Sequence, residues 1–216
     1  MSVPDLRSGY ASDRGLRDLV ARSVEVIEAE QAGTGAYPAC PTYPVYRYAW
    51  LRDGSFVADG VGGHGRDASA HAFHEWVAGV ITGRGAQIED VVAATAAGRE
   101  VDRAAFLPTR YTVDGREAGG DWWDFQLDGY GTWLWALDRH VARTGAAPAA
   151  FADACELVVR YLAASWDHPC FDWWEEHAEH VHVSTLASIA AGLRAAARGR
   201  VVPGPAAELA ARTATA

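Results

Sequence analysis

The chain has 216 residues, of which half are apolar and 22% are charged, so it is long and apolar enough to fold around a core. Its net charge of −9 argues against nucleic acid or an anionic membrane surface as the main partner. The absence of lysine excludes lysine Schiff-base chemistry and a P-loop. No segment approaches the ~18 apolar residues of a membrane-spanning helix. The polar N-terminal stretch lacks a signal core, which predicts a cytoplasmic protein.

Apolar residues recur at helical spacing along most of the chain, and no alternation of strands and helices is evident. A first helix follows the start signal Ser12–Asp13, and a seventh could open at Pro205. The apolar stripes of the first, third, fourth, fifth and sixth helices lie at 16–27, 73–81, 127–141, 151–162 and 186–193. The second helix is expected to begin near Gly54, and residues 87–99 could add a minor helix. The sequence therefore predicts an all-α fold.

Three long connections separate these helices, at about 32–52, 83–125 and 165–182. Long loops in compact domains usually carry function, and alternate loops of antiparallel helices lie at the same end. We therefore expect all three on one face. Seven of the nine tryptophans lie in or beside them, namely Trp50, Trp122, Trp123, Trp133, Trp166, Trp173 and Trp174. Aromatic rings beside carboxylates suit a neutral polar ligand such as a sugar.

The first loop ends in YRYAWLRDGSF, which places Arg52 and Asp53 inside an aromatic frame with Trp50. A functional interpretation is a clamp on adjacent hydroxyl groups. A structural interpretation is an ion pair in which Asp53 caps the second helix, because Asp is a preferred N-cap residue. Both interpretations stay open on the spacing alone.

The second loop leads into QLDGYG, where Gln126 and Asp128 come together with Gly129 and Gly131. A glycine inside a helix costs about 1 kcal/mol relative to alanine. Something is therefore expected to pack closely on this helix, either a ligand or another helix.

The third loop contains DWWEEHAEHVHV, in which Glu175 and Glu176 follow two tryptophans. A carboxyl group beside an apolar ring loses solvation, which favours its neutral form and suits it to be a general acid. The alternative is a solvated acidic loop. His177, His180 and His182 could bind a metal, but they match no standard zinc spacing, so surface histidines are favoured. Cys40, Cys155 and Cys170 fit no disulfide framework and are interpreted as ordinary thiols.

These three segments, in this order, resemble glycoside hydrolase family 15, the glucoamylase-like enzymes. The resemblance implies an (α/α)6 barrel with its active site at one end, and hydrolysis of α-glucosidic bonds with inversion. It implies that Glu175 is the general acid. By the same resemblance, glucose-containing oligosaccharides or disaccharides would be bound by Tyr46, Trp50, Arg52, Asp53, Gln126, Asp128, Trp174 and Glu176. No cofactor is implied, because the proton donor and a water molecule suffice.

An inverting glycosidase needs a second carboxylate to activate water. In this family the base lies in the second half of the barrel, and the present chain offers no candidate for it. We therefore interpret residues 1–216 as a single partial catalytic domain, with about six of the twelve barrel helices and without the C-terminal half. Half a ring would expose apolar faces, so low stability or self-association is expected.

Several functional alternatives remain at this point. The chain could be a carbohydrate-binding remnant that kept the sugar contacts and lost the base. Less favoured are a metal-dependent hydrolase built on the three histidines and another α/α toroid. Hydrolysis by this chain alone is not expected.

Overall fold

The structure, a computed structural model, describes residues 14–120, 125–202 and 204–216. These residues form the predicted all-α fold, and none of their helices is long and apolar enough to span a membrane. The helices are α1 (Arg14–Glu30), α2 (Leu51–Gly63), α3 (Asp67–Thr82), α4 (Gly85–Ala96), α5 (Asp128–Thr144), α6 (Ala152–Ser165), α7 (Val183–Ala196) and α8 (Gly204–Thr213). One short antiparallel ladder joins β1 (Ala49–Trp50) to β2 (Arg110–Tyr111).

The predicted helices all form, including the minor one, which is α4, and the one near Pro205, which is α8. The start of α2 differs from the prediction, because α2 begins at Leu51, with Trp50 as a cap that makes no side-chain hydrogen bond. Asp53 therefore lies in the first turn of α2 and is not its N-cap, so that part of the structural interpretation is wrong. The start signal Ser12–Asp13 lies outside the described residues.

Three helices form a row in which α5 packs between α2 and α7. Behind this row, α3 packs on α2, α6 packs on α3 and α4, and α8 packs on α6 and α7. The aromatic core between these layers includes Phe73, Tyr130, Trp133, Phe151 and Tyr161, all less than 2% exposed. Trp133 is thus a core residue, contrary to the prediction that groups it with the loop aromatics, and Trp166 packs against the same core. Trp122 and Trp123 lie outside the described residues.

The glycines of α5 allow helices to approach closely. A Cβ atom on Gly131 would lie 2.7 Å from the Cα atom of Ile189 in α7, and one on Gly192 would lie 2.7 Å from the Cα atom of Gly131. A Cβ atom on Gly129 would lie 3.1 Å from the backbone nitrogen of Arg52. Of the two possibilities left open for these glycines, the structure therefore supports helix–helix packing.

The three long loops meet on one face, as predicted. The β1–β2 ladder joins the first loop to the second, with Ala49 opposite Tyr111. The amide of Phe171 in the third loop donates to the carbonyl oxygen of Phe125 at 3.0 Å. Beside this face, an apolar groove of about 330 Å³ runs over α5 and α7, and Phe56 and Trp135 line it.

The three cysteines are free thiols. Cys155 and Cys170 are buried, and burial raises the pKa of both. Their packing in the core fits the prediction of ordinary thiols.

Three histidines that sequence reasoning did not group pack together between α3 and α5. His71 Nδ1 lies 3.1 Å from His140 Nε2, and the rings of His74 and His140 are 5.0 Å apart. His74 is fully buried, and neither of its ring nitrogens has a hydrogen-bond partner. Burial, together with His140, His71 and Arg143, holds the pKa of His74 well below its usual range. Burial, His71 and Arg143 lower the pKa of His140 to about 4, against a small opposing effect of Asp67.

This cluster predicts that acid destabilises the fold. Both histidines stay neutral in the folded state, whereas unfolded histidine has a pKa of about 6.5. The unfolded state therefore binds more protons, and the free energy of unfolding should fall as pH drops from about 6.5 towards 4, by about 3 kcal/mol from His140 alone. His74→Phe keeps a packed ring and removes the unpaired nitrogens. In urea titrations it should therefore be more stable than the unmodified protein, and more so at pH 5 than at pH 8.

The exposed His64 offers a matched control for this measurement. His64→Gln should change the free energy of unfolding by less than about 0.5 kcal/mol, as surface substitutions do. Equal slopes of stability against pH for His74→Phe and the unmodified protein would contradict the assignment.

Candidate active site

A pocket of about 220 Å³ opens where the three loops meet. Its lining is Ala39, Tyr46, Trp50, Arg52, Asp53, Trp173, Trp174 and Glu175. Six of the nine residues predicted for the site are therefore in this lining, and they come from the first and third loops and the start of α2. Gln126 and Asp128, from the second loop and the start of α5, lie beneath it and contact Arg52.

Arg52 is the centre of a polar network under the pocket. Its NH1 group donates to Gln126 Oε1 at 2.8 Å and to Asp128 Oδ2 at 2.9 Å. Its Nε atom lies 3.3 Å from Asp53 Oδ1. The Arg52 side chain is only 13% exposed and that of Asp128 only 1%. These contacts hold the guanidinium in one position at the pocket lining.

The two carboxylates beside Arg52 differ in exposure. The Asp128 side chain is buried, whereas that of Asp53 is 45% exposed and faces the pocket. Desolvation raises the pKa of Asp128, against an opposing effect of Arg52. Desolvation also raises the pKa of Asp53. Arg52 acts to lower this pKa, and Glu175 acts to raise it further. Arg52 thus opposes the effect of burial on one carboxyl group and orients an accessible one.

Gln126 connects this network to the acidic loop. Its Oε1 atom accepts from Arg52, and its Nε2 group donates to Glu175 Oε1 at 3.3 Å. Gln126 is completely buried, so its amide has little freedom to turn away. Arg52 and Glu175 therefore have a fixed relation across one side chain.

Aromatic rings form the walls of the pocket. Trp50 is buried, and its ring centroid lies 6.1 Å from that of Tyr46, which is 42% exposed. Trp173 lies over the Arg52 guanidinium, 5.8 Å from ring centroid to Cζ. Trp174 is 82% exposed at the rim. Apolar ring faces next to hydrogen-bonding groups match the two kinds of surface of a sugar ring.

The turn that carries Glu175 was only partly anticipated. Glu175 has a left-handed backbone with φ of 62°, and Asp172 accepts hydrogen bonds from the amides of three following residues. Glu176 is exposed and is not among the described residues that line the pocket. The sequence analysis gave Asp172 no role and grouped Trp173 with the loop tryptophans without placing it in the site. Asp172 accepts from the amide of Trp174, two residues further along the chain. An Asp side chain that accepts from the amide two residues later is typical of an Asx turn, so the sequence carried this signal.

The three histidines of the third loop lie beside this turn. Successive ring centroids of His177, His180 and His182 are 6.1 and 6.3 Å apart. Within the described ranges, no group of three His, Cys, Asp or Glu side chains has an arrangement that could hold a metal ion. His182 Nε2 instead contacts the carbonyl oxygen of His177 at 2.9 Å.

The sequence profile described as "Glycosyl hydrolases family 15" matches residues 16–214 of this chain. The chain belongs to glycosyl hydrolase family 15. It is 50% identical over 179 residues to a protein of Kribbella flavida named isomaltose glucohydrolase.

Solved structures of glycosidases share the fold. A glycosidase matches with a TM-score of 0.87 and 45% identity over 92% of this chain. A variant of a glycosidase in complex with glucose matches with a TM-score of 0.88 and 45% identity, again over 92% of this chain. The Hormoconis resinae glucoamylase, at 20% identity and a TM-score of 0.55, shares the fold alone.

These matches identify the row of helices as part of the helical toroid of glycosyl hydrolase family 15. The chain spans about half the length of its relatives, 46% of the Kribbella protein and 54% of each of the two glycosidases. The predicted family and fold class are therefore confirmed.

Proposed function

We propose that the pocket binds a terminal glucosyl unit of an α-glucoside and that Glu175 donates the proton to the departing oxygen. The observation that carries this proposal is the link from Arg52 through Gln126 to Glu175. It places a carboxyl group at the wall of a sugar-sized pocket, at a fixed position relative to the group that would grip the sugar. General acid catalysis needs this fixed relation between proton donor and bound substrate.

Each pocket residue has a role in this proposal. Arg52 and Asp53 hold adjacent sugar hydroxyl groups, with Gln126 and Asp128 supporting Arg52 from below. Trp50 lines the pocket, and Tyr46 faces the ring carbon where positive charge develops. Trp174 and Glu176, at the exposed end of the turn, contact the neighbouring unit of the substrate.

Inversion of configuration needs a second carboxylate about 6.5–9.5 Å from the acid. Among the described residues that line the pocket, the second carboxylate is Asp53, which Arg52 engages. We therefore assign the base to a part of the family fold outside the half that this chain spans. Residues 1–216 are, in this proposal, a partial catalytic domain that supplies the sugar contacts and the acid.

The substrate to test first is isomaltose, because the Kribbella relative is named for it. We expect calorimetry to detect weak binding of isomaltose to this chain, with no glucose released. Glu175→Gln should leave binding within about threefold, because the amide keeps an acceptor for Gln126 while losing the acidic proton. The exposed Glu156, on α6 and away from the pocket lining, gives the matched control Glu156→Gln.

The outcomes of this experiment separate the proposals. No binding of isomaltose, maltose or trehalose would overturn the sugar pocket. Release of β-glucose that Glu175→Gln abolishes would support the acid and contradict the external base. Release that survives Glu175→Gln would overturn the role of Glu175.

A second candidate is a carbohydrate-binding module without turnover. The ion pair of Asp53 with Arg52 favours it, because that carboxylate is already engaged. Supplying the remaining half of a family 15 domain as a separate polypeptide discriminates the two. Restored hydrolysis that depends on Glu175 supports the enzyme, whereas binding that stays without turnover supports the module.

A further inference from the structure

The turn that bears Glu175 is held by hydrogen bonds to one residue. Asp172 Oδ1 accepts from the amides of Trp174 at 2.8 Å and Glu176 at 3.0 Å. The carbonyl oxygen of Asp172 accepts from the Glu175 amide at 3.0 Å, and the Asp172 amide donates to the Glu176 carbonyl oxygen at 3.2 Å. Four hydrogen bonds from Asp172 therefore fix the three residues that follow Trp173.

These hydrogen bonds hold a backbone that would otherwise be unfavourable. Glu175 has φ of 62° and His177 has φ of 52°, and among the described residues these are the non-glycine positions with positive φ. Such a conformation costs about 1–3 kcal/mol per residue and persists only where the surroundings over-determine it. The direction of the Glu175 side chain is set by this backbone, so loss of the hydrogen bonds would redirect it.

The side chains of the turn give the backbone less support. Trp174 is 82% exposed, and the hydrogen bond from Gln126 to Glu175 is long, at 3.3 Å. His182 supports the far end of the turn through its contact with the His177 carbonyl oxygen at 2.9 Å. The Asp172 hydrogen bonds therefore act together with Gln126 to position Glu175.

The surroundings of Asp172 keep it a strong acceptor. Desolvation is the largest single effect and raises the pKa of its carboxyl group, but the amides of Glu176 and Trp174, together with His182 and His177, outweigh it and lower the pKa. Hydrogen bonds to a charged acceptor are stronger than those to a neutral one. The carboxylate therefore stays ionised where the turn must hold its shape.

We propose that Asp172 is the positioning residue that holds Glu175 in its left-handed backbone and directs its carboxyl group towards Gln126 and the pocket. The link to proton donation rests on the function proposed above. The mechanical part, that Asp172 fixes the turn, stands independently of it. This difference determines the design of the test.

The test compares Asp172→Ala with Asp172→Asn by hydrogen exchange and by isomaltose binding. Asparagine keeps an Oδ1 acceptor, whereas alanine has none. In Asp172→Ala, the amides of Trp174 and Glu176 should exchange at least about tenfold faster, since a lost hydrogen bond of ~1.4 kcal/mol corresponds to a factor of 10. Asp172→Asn should restore most of the protection, and the midpoint of thermal unfolding should change little in either variant.

Asp102 provides a matched control, because its Oδ1 atom accepts from the Ala104 amide at 2.9 Å in a turn whose side chains do not line this pocket. Asp102→Ala should leave exchange at Trp174 and Glu176 unchanged. The proposal is overturned if Asp172→Ala leaves these two amides protected, or if Asp172→Asn behaves like Asp172→Ala.

The binding measurement separates this proposal from the proposed function. If the unmodified chain binds isomaltose, Asp172→Ala should weaken binding and Asp172→Asn should restore it. If the unmodified chain binds no sugar, the proposed function fails, while the exchange data still decide whether Asp172 holds the turn. Unchanged binding in Asp172→Ala with faster exchange would overturn the link to the pocket.

Discussion

Replacing Arg52 with alanine should abolish isomaltose binding and lower the free energy of unfolding by about 3–5 kcal/mol. The change removes the cation that pairs with Asp128, whose side chain is 1% exposed. It leaves that carboxylate buried without its cation, because Asp128 Oδ1 already lacks a hydrogen bond and the Gly129 amide is a neutral donor. It also removes the donor to Gln126, and with it the link to Glu175. Urea unfolding and calorimetry with isomaltose measure the two effects.

The chain contains a matched control for this change. Arg139 pairs with Asp59 at 2.7 Å, but its side chain is 53% exposed. Arg139→Ala should therefore cost less than about 1 kcal/mol, as exposed ion pairs do, and leave sugar binding intact.

A second variant separates stability from binding. In Arg52→Ala/Asp128→Asn the buried charge is gone, so at least half of the lost stability should return while binding stays absent. A loss below about 1 kcal/mol in Arg52→Ala would show that the buried pair does not stabilise the fold as argued. Normal isomaltose binding by that variant would remove Arg52 from the proposed site.

Replacing Gly131 with alanine should lower the free energy of unfolding by about 3 kcal/mol, although alanine favours helix. The added Cβ atom would lie 2.5 Å from the carbonyl oxygen of Ser188 and 2.7 Å from the Cα atom of Ile189. These are backbone atoms of α7, so α5 and α7 must separate to accept the methyl group. The midpoint of urea unfolding measures the loss, and an unchanged slope would indicate that the unfolded state is unaffected.

Gly60 is the control for the helix-propensity effect. It lies within α2, and a Cβ atom built on it has no neighbour within 4 Å. Gly60→Ala should therefore raise the free energy of unfolding by about 0.5–1 kcal/mol. Gly131→Ala behaving like Gly60→Ala would mean that the α5–α7 crossing yields easily, contrary to the close packing described above.

The helices could be predicted from the sequence because their buried faces follow the helical period. In α6, for example, Cys155, Val158, Val159 and Leu162 are all buried. The start of α2 could not be placed, because its N-cap, Trp50, carries none of the usual capping side chains. The β1–β2 pairing was also missed, since strands of two residues have no alternation to detect.

The site was predictable as a set of residues but not as an arrangement. The aromatic and charged loop segments pointed to a sugar pocket, whereas the Gln126–Glu175 hydrogen bond joins residues 49 positions apart. The histidine cluster is a similar case, because His71 and His140 are 69 positions apart. Such long-range pairings leave no local pattern in a single sequence. By contrast, the Asp172 turn is local and could have been found from its capping pattern.

The row α2, α5, α7 has a consequence for synthesis on the ribosome, because its spatial order is also its chain order. Helix α5 packs on α2, and α7 packs on α5. Each of these two helices therefore packs on one that the ribosome has already made, so the row can form in the direction of translation. Arg52 precedes its buried partner Asp128 by 76 residues, and it emerges first as an exposed cation that water can solvate. When α5 follows, its N-terminal carboxylate meets a cation that is already in place and is never buried alone. The order of synthesis thus supplies the cationic partner of Asp128 before Asp128 itself is made.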